Sequence, residues 1–335
     1  MNRGIAGVYA LSVSLALGGA RTAGQSRDIV TAHLAAAKVA AGQDWMSLYT
    51  LLCSPADQSA AVQPGAGGAP QGGGAPAGQR NIPDRALWHQ APAKVFDNLY
   101  FVGTKAIASW AVTTSQGIIL IDATYDYSVE DEVVSGLTTL GLDPKQIKYV
   151  LVSHGHASHF GGAKLLQDTY GARVGLTAAD WDLVEKSQGV VKPKREMVIE
   201  DGQKLALGDT TITMYITPGH TTGALSYLIP AKDKGKSHMV ALSGIGSATG
   251  ADNLKKYVAA AARLSDIAAK ANADVVISDE DQFVGYVKRI EAMKANPAGP
   301  NLLVVGNMAV KRFFTVVSEC GSAVLATLHE PVSAF

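Results

Sequence analysis

At 335 residues the chain has room for one large domain or two small ones. Its 29 basic and 29 acidic residues cancel, which argues against a nucleic-acid-binding surface, and 47% apolar residues give it a globular composition. No apolar run reaches the roughly 20 residues that a membrane span needs.

Residues 1–23 read as a secretory signal: Arg3, the apolar run "IAGVYALSVSLAL", then the small residues of "GGARTAG", with cleavage near Ala20 or Ala23. This predicts a periplasmic or secreted protein. If the segment is instead an ordinary helix that stays attached, the protein is cytoplasmic. Residues 26–53 follow as one or two helices, a helical extension with Ser26 as cap and Ile29, Leu34, Val39, Trp45, Leu48 and Leu52 as apolar positions. That stripe must pack either on the chain's own main domain, as a monomer, or on a second copy, as a homodimer. Residues 54–84 are rich in Gly, Pro, Ala and Gln, have almost nothing to bury, and read as a flexible linker.

Residues 85–335 mix strands and helices, which predicts one layered α/β domain. "NLYFVG", "SWAVTTS" and "GIILIDA" are short β-rich runs, and "YSVEDEVVSGLTTLGL" is helical. The buried strand "IKYVLVS" ends at a cluster of histidines, and the helix "GGAKLLQDTYG" follows. Further strands are "KLALGD", "TITMYIT", "ALSYLIP" and "HMVALSG"; then come a long helix from about Asn253 to Lys270, the strand "DVVIS", and helices to the end. Cys53 and Cys320, the two cysteines, have no zinc-type spacing. They are expected as two separate thiols, or as one long-range disulfide in an exported protein.

"SHGHASHF" places three of the chain's eight histidines within six positions at a strand end. Loops at the ends of rigid strands project side chains into clefts. His154 and His156 flank one small residue and can address one ion, with His159 turned to a neighbouring position. Catalytic zinc usually keeps three protein ligands and an open position, and His220, in the tight turn "TPGHTTG", offers the third ligand. His33, His89, His238 and His329 lack such a setting and read as ordinary histidines.

"VSHGHASHFGG", "TPGHTTG", "GIILIDAT" and "NLYFVGT" together resemble the metallo-β-lactamase fold, closest to the subclass B3 β-lactamases and their relatives, from about Trp88 to Leu328. The resemblance implies an αββα sandwich with the metals at one edge of its two sheets. It makes His154, His156 and His220 a first zinc site, with Asp122 beneath the metal loop orienting it. Without that role, Asp122 is a strand-end turn residue. Lys105, Ile107 and Trp110 fall where the family has a loop over the cleft, although Trp110 also reads as core. Ser243 and Ser247 are candidates to bind a substrate carboxylate; otherwise "ALSGIGSATG" is a glycine-rich turn.

Two positions depart from the family pattern. Ser158 stands where an aspartate would hold a second metal, and a neutral hydroxyl is a poor zinc ligand. Glu280, in "DVVISDEDQF", stands where the last histidine of that site would be, with Asp279 and Asp281 close enough to blur the register. A carboxylate ligates zinc and also suits manganese or magnesium. The alternatives are therefore a rearranged second site of Ser158, His159 and Glu280, a single-metal site at the three histidines, or no metal.

The chemistry implied is that of a metal-dependent hydrolase acting on a small molecule. Zinc lowers the pKa of a bound water to about 7 and polarises a carbonyl. The resulting hydroxide would attack an ester, lactone or amide carbon, with the negative intermediate against the metal. In the family, the second metal stabilises the departing nitrogen of a β-lactam. Its alteration here weakens the β-lactamase reading more than the ester or lactone reading. A B3-like β-lactamase and a non-catalytic metal- or ligand-binding relative are the alternatives.

Overall fold

The computed structural model describes residues 23–53 and 82–328. All but the last residue of the signal over 1–23 and nearly all of the linker over 54–84 lie outside the described residues, as does His329.

Two sheets form the frame. The first has seven strands in chain order: β1 (Ala93–Lys94), β2 (Leu99–Phe101), β3 (Trp110–Thr114), β4 (Gly117–Ile121), β5 (Ile147–Leu151), β6 (Arg173–Leu176) and β7 (Met197–Val198). The second has five: β8 (Lys204–Leu207), β9 (Thr210–Ile216), β10 (Leu225–Asp233), β11 (Lys236–Ser243) and β12 (Val275–Ser278), ordered β12-β11-β10-β9-β8. β1 to β4 pair antiparallel, whereas β4, β5, β6 and β7 run parallel.

The run "GIILI" shows why the first sheet is apolar on both faces. Side chains alternate along a strand. Ile119 and Ile121 join the cluster of Trp110, Tyr227, Val240 and Ile277, which draws on both sheets. Ile118 and Leu120 join the other cluster, with Val133, Leu137, Phe160, Leu166 and Trp181 from covering helices. A strand buried on both faces reads as an unbroken apolar run. The long helix Ala251–Lys270 and the C-terminal helix Asn307–Thr327 cover the second sheet's side through Tyr257, Ala261, Leu264, Phe313, Phe314 and Val317.

The N-terminal extension is two helices, Ala23–Ala41 and Met46–Cys53, built into this same core. Of the two surfaces expected to receive it, the chain's own C-terminal helix does. Trp45 lies edge-on to Phe313, 5.2 Å between ring centres, and its indole N–H donates to the Ala309 carbonyl. Three expectations are corrected here. Cys53 and Cys320 are not separate thiols but a disulfide. Ser26 lies inside the first helix rather than capping it. Val39 is 82% exposed, because Ala37, Ala40 and Ala41 make the contact and small side chains let the helices approach closely.

Candidate metal centre

The site lies where strands end. Asp122 follows β4, His154, His156 and His159 follow β5, His220 follows β9, and Asp279 and Glu280 follow β12. Hydrogen bonds tie the loops of the two sheets together at this edge: Leu225 N–H to the Ser153 carbonyl, Ala108 N–H to the Asp279 carbonyl, and the Trp110 indole to the Ser278 carbonyl. Main-chain glycines allow the close approach. A Cβ on Gly162 would stand 2.3 Å from the Ala123 carbonyl oxygen, and one on Gly223 1.9 Å from Thr177 Oγ1.

His154, His159 and His220 each have one ring nitrogen oriented by a neighbour. His159 Nδ1–H donates to Asp122 Oδ2 at 2.9 Å, and His220 Nδ1–H to the Ser247 carbonyl at 2.7 Å. Ser153 Oγ–H donates to Asp122 Oδ2 at 2.8 Å, which leaves Oγ to accept from His154 Nδ1 at 3.1 Å. Asp279 Oδ2 also approaches His154 Nδ1, at 3.3 Å. These partners fix the tautomers, so Nε2 of His154, His159 and His220 carries a lone pair. His156 Nδ1 faces His220 Nε2 across 3.1 Å. The rings of His154, His156 and His220 lie 4.6–4.8 Å apart, centre to centre.

Electrostatics favour neutral imidazoles. Burial, then the neighbouring histidines, pushes His154 well below its usual range and His156 down to about 2; burial takes His159 down to about 4. Among the acids, burial and the Asp279 charge raise Asp122 well above its usual range and raise Glu280 to about 8. Burial also pushes on Asp279, but His154 and His159 outweigh it and hold that carboxyl below the carboxylate range.

The fit to a cation can be tested on atoms that have no partner. Buried polar atoms are normally hydrogen-bonded. His154 Nε2, His159 Nε2 and Asp279 Oδ2 are buried without a hydrogen bond. Ligand atoms of His154, His156 and His220 lie within 4.8 Å of one another, as do those of His154, His159 and Glu280, and those of Asp122, His159 and Asp279. Neutral imidazoles aimed together beside carboxylates form a donor set that suits a divalent metal. The residues fit.

The other sequence expectations divide. Ser158 is half-buried on the short helix Ala157–Phe160. Glu280 Oε1 lies 4.0 Å from His159 Nε2, and Ile107 bridges to Glu280 across the cleft loop. Trp110 is fully buried against Phe101 and Tyr286, so it is core rather than a wall of the cleft. Lys105 turns away, its amine donating to the Ala86 carbonyl. Ser243 is buried, and its carbonyl accepts from Ser278 Oγ. Ser247 meets His220 through its carbonyl. His33, His89 and His238 pair with Glu319, Glu132 and Asp274.

Asp180 was not singled out in the sequence. It accepts from Gly155 N–H at 2.8 Å, Thr221 Oγ1 at 2.7 Å and Gly223 N–H at 2.9 Å, joining the His154–His156 loop to the His220 turn. Its partners are 25 to 43 residues away, a separation no local motif reveals.

Residues 102–233 match the family model described as the metallo-beta-lactamase superfamily. That segment is a metallo-beta-lactamase superfamily domain. The probable polyketide biosynthesis zinc-dependent hydrolase BaeB of Bacillus velezensis is 27% identical over 116 residues, 35% of this chain and 47% of that protein. A hydroxyacylglutathione hydrolase of Acidiphilium cryptum is 34% identical over 83 residues, 25% of this chain and 31% of that protein. The chain thus spans less than half the length of these curated relatives. The superfamily architecture also appears in BJP-1, a subclass B3 metallo-beta-lactamase of Bradyrhizobium japonicum (TM-score 0.58, 27% identity, 69% of this chain and 91% of that one). Native FEZ-1 metallo-beta-lactamase from Legionella gormanii shares the fold (TM-score 0.59, 22% identity, 67% and 91%). The relatives are hydrolases, and the expected αββα metallo-beta-lactamase fold is the one observed. Among the described residues no helix is long and apolar enough to cross a membrane.

Proposed function

We propose that the protein is a metal-dependent hydrolase of small molecules that cleaves an ester, lactone or amide. The observation that carries this reading is the convergence of His154, His156 and His220 with ring nitrogens oriented for one ion. Zinc held there would supply Lewis acidity and make water acidic enough to yield hydroxide near neutral pH. The rest is the work of the chain. Asp122 and Ser153 hold the histidine loop, the Ser247 carbonyl holds His220, and burial keeps the imidazoles of His154, His156 and His159 unprotonated.

For a second cation, His159 Nε2 and Glu280 Oε1 supply an imidazole and a carboxylate, with Ser158 contributing no charge. Such a set accepts zinc and also the harder manganese or magnesium. Metal analysis of protein purified without chelator tests this: two equivalents per chain support the pair, and one restricts binding to the three histidines.

The likeness to BJP-1 over 91% of that chain favours one second reading, hydrolysis of β-lactams. Nitrocefin, a lactone and 4-nitrophenyl esters, each assayed with metal-free and zinc-replete protein, separate the two readings. Absence of metal-dependent turnover across the panel leaves the non-catalytic alternative. We further infer export to an oxidising compartment, which the Cys53–Cys320 bond supports. Fractionation of cells expressing the full chain tests it.

A further inference from the structure

His156 and His220 line a cleft of about 360 Å³, within the usual size of a small-molecule site. One wall is the helix Ala178–Lys186, which presents Ala179, Leu183 and Lys186 to the cleft. Positions spaced by four and three residues share a helix face, and these three extend over about 10 Å at 1.5 Å per residue. Asn253, in the first turn of the helix Ala251–Lys270, completes the wall; helix N-termini favour negative charge.

The charges around the cleft are unequally engaged. Asp180 lines it, but its oxygens accept from Gly155, Thr221 and Gly223. Nearby cations are also occupied: Lys192 donates to the Glu185 carbonyl, Arg195 pairs with Asp182 and Glu185, and Lys255 pairs with Asp252. Among the described residues the Lys186 side chain makes no hydrogen bond or ion pair, and it is the one cation lining the cleft. Asp180 ties the first turn of this helix to Gly155 and Thr221, the neighbours of His156 and His220, and Ala179 and Leu183 continue the same lining face to Lys186.

We propose that the cleft binds substrates bearing a carboxylate remote from the scissile carbonyl, with the carboxylate on Lys186 and Asn253 and the carbonyl beside His156 and His220. The inference rests on the hydrolase reading above. With an ester of this class, water adds across the acyl–oxygen bond and releases a dicarboxylic acid and an alcohol.

The test compares two esters of nearly equal shape, the 4-nitrophenyl monoester of glutarate and 4-nitrophenyl pentanoate, on the zinc-replete full chain. The parent should show a KM for the glutarate ester about 1.5- to fivefold lower, the range for a solvent-exposed ion pair. Added salt should shrink that gap. Lys186→Ala should abolish the difference between the two esters and Lys186→Glu should reverse it. Equal KM values in the parent, or a preference that survives Lys186→Ala, overturn the proposal. If neither ester is hydrolysed, calorimetric titration with 4-mercaptobutanoate and 4-mercaptobutanol decides. A carboxylate preference lost in Lys186→Ala sustains the anion site while the hydrolase reading falls; equal affinities overturn the anion site itself.

Discussion

Asp122 holds its backbone at φ +65°, a left-handed conformation that aspartate and asparagine tolerate better than most residues. From there its carboxyl receives the backbone N–H and hydroxyl of Ser153 and the ring of His159. Asp122→Asn keeps the backbone but replaces one acceptor oxygen with a donor. Zinc affinity should fall about 10- to 100-fold, as for other groups that orient metal ligands, with an unchanged circular dichroism spectrum; a competitive chelator titration measures it. His156→Ala and His220→Ala should each lose tightly bound zinc, and full occupancy in either would show that its imidazole is not a ligand. Ser158→Asp with Glu280→His tests whether both positions address one ion. Metal titration of parent, singles and double should be strongly non-additive, because groups sharing an ion couple; simple additivity would separate them. The histidines were legible because their spacing follows a strand. Asp279 was visible only as an ambiguity of register, because a buried carboxylate beside His154 differs from an exposed one by its surroundings and not by its sequence.

At the scale of elements, the sequence outlined most strands because their apolar runs are short and bounded by turn residues. It passed over β6, whose "RVGL" follows a turn closely, and the helix Ala178–Lys186, whose buried positions are few: Asp180, Trp181 and Val184. That helix is the one that carries Asp180 to the two metal loops. Asp180→Ala would leave Gly155 N–H, Thr221 Oγ1 and Gly223 N–H without their acceptor in a buried place. The expected loss is about 2–4 kcal/mol, since each unsatisfied buried group costs on the order of 1–3 kcal/mol and relaxation recovers part. Asp180→Asn retains one acceptor oxygen and should lose less. Chemical denaturation ranks the three proteins, and zinc affinity should follow the same order because the loops lose their common anchor.

Over the whole molecule, the helices before residue 54 and the helix after residue 306 form one layer held by Trp45 packing, the His33–Glu319 and Arg312–Asp44 pairs, and the disulfide. The separation of 267 residues between Cys53 and Cys320 constrains nearly the entire unfolded chain. Cys53→Ser with Cys320→Ser, or reduction, should therefore cost roughly 2–5 kcal/mol, read as a lower denaturation midpoint. The sequence left this pairing open because a cysteine pair distant along the chain carries no spacing signal. The bond has a further consequence for protein engineering. A protease site inserted between residues 54 and 81 should yield two polypeptides that migrate as one species until a reductant is added. Residues 23–53 and 82–335 could then be made separately and rejoined by oxidation, giving a two-piece protein whose assembly is read from thiol titration.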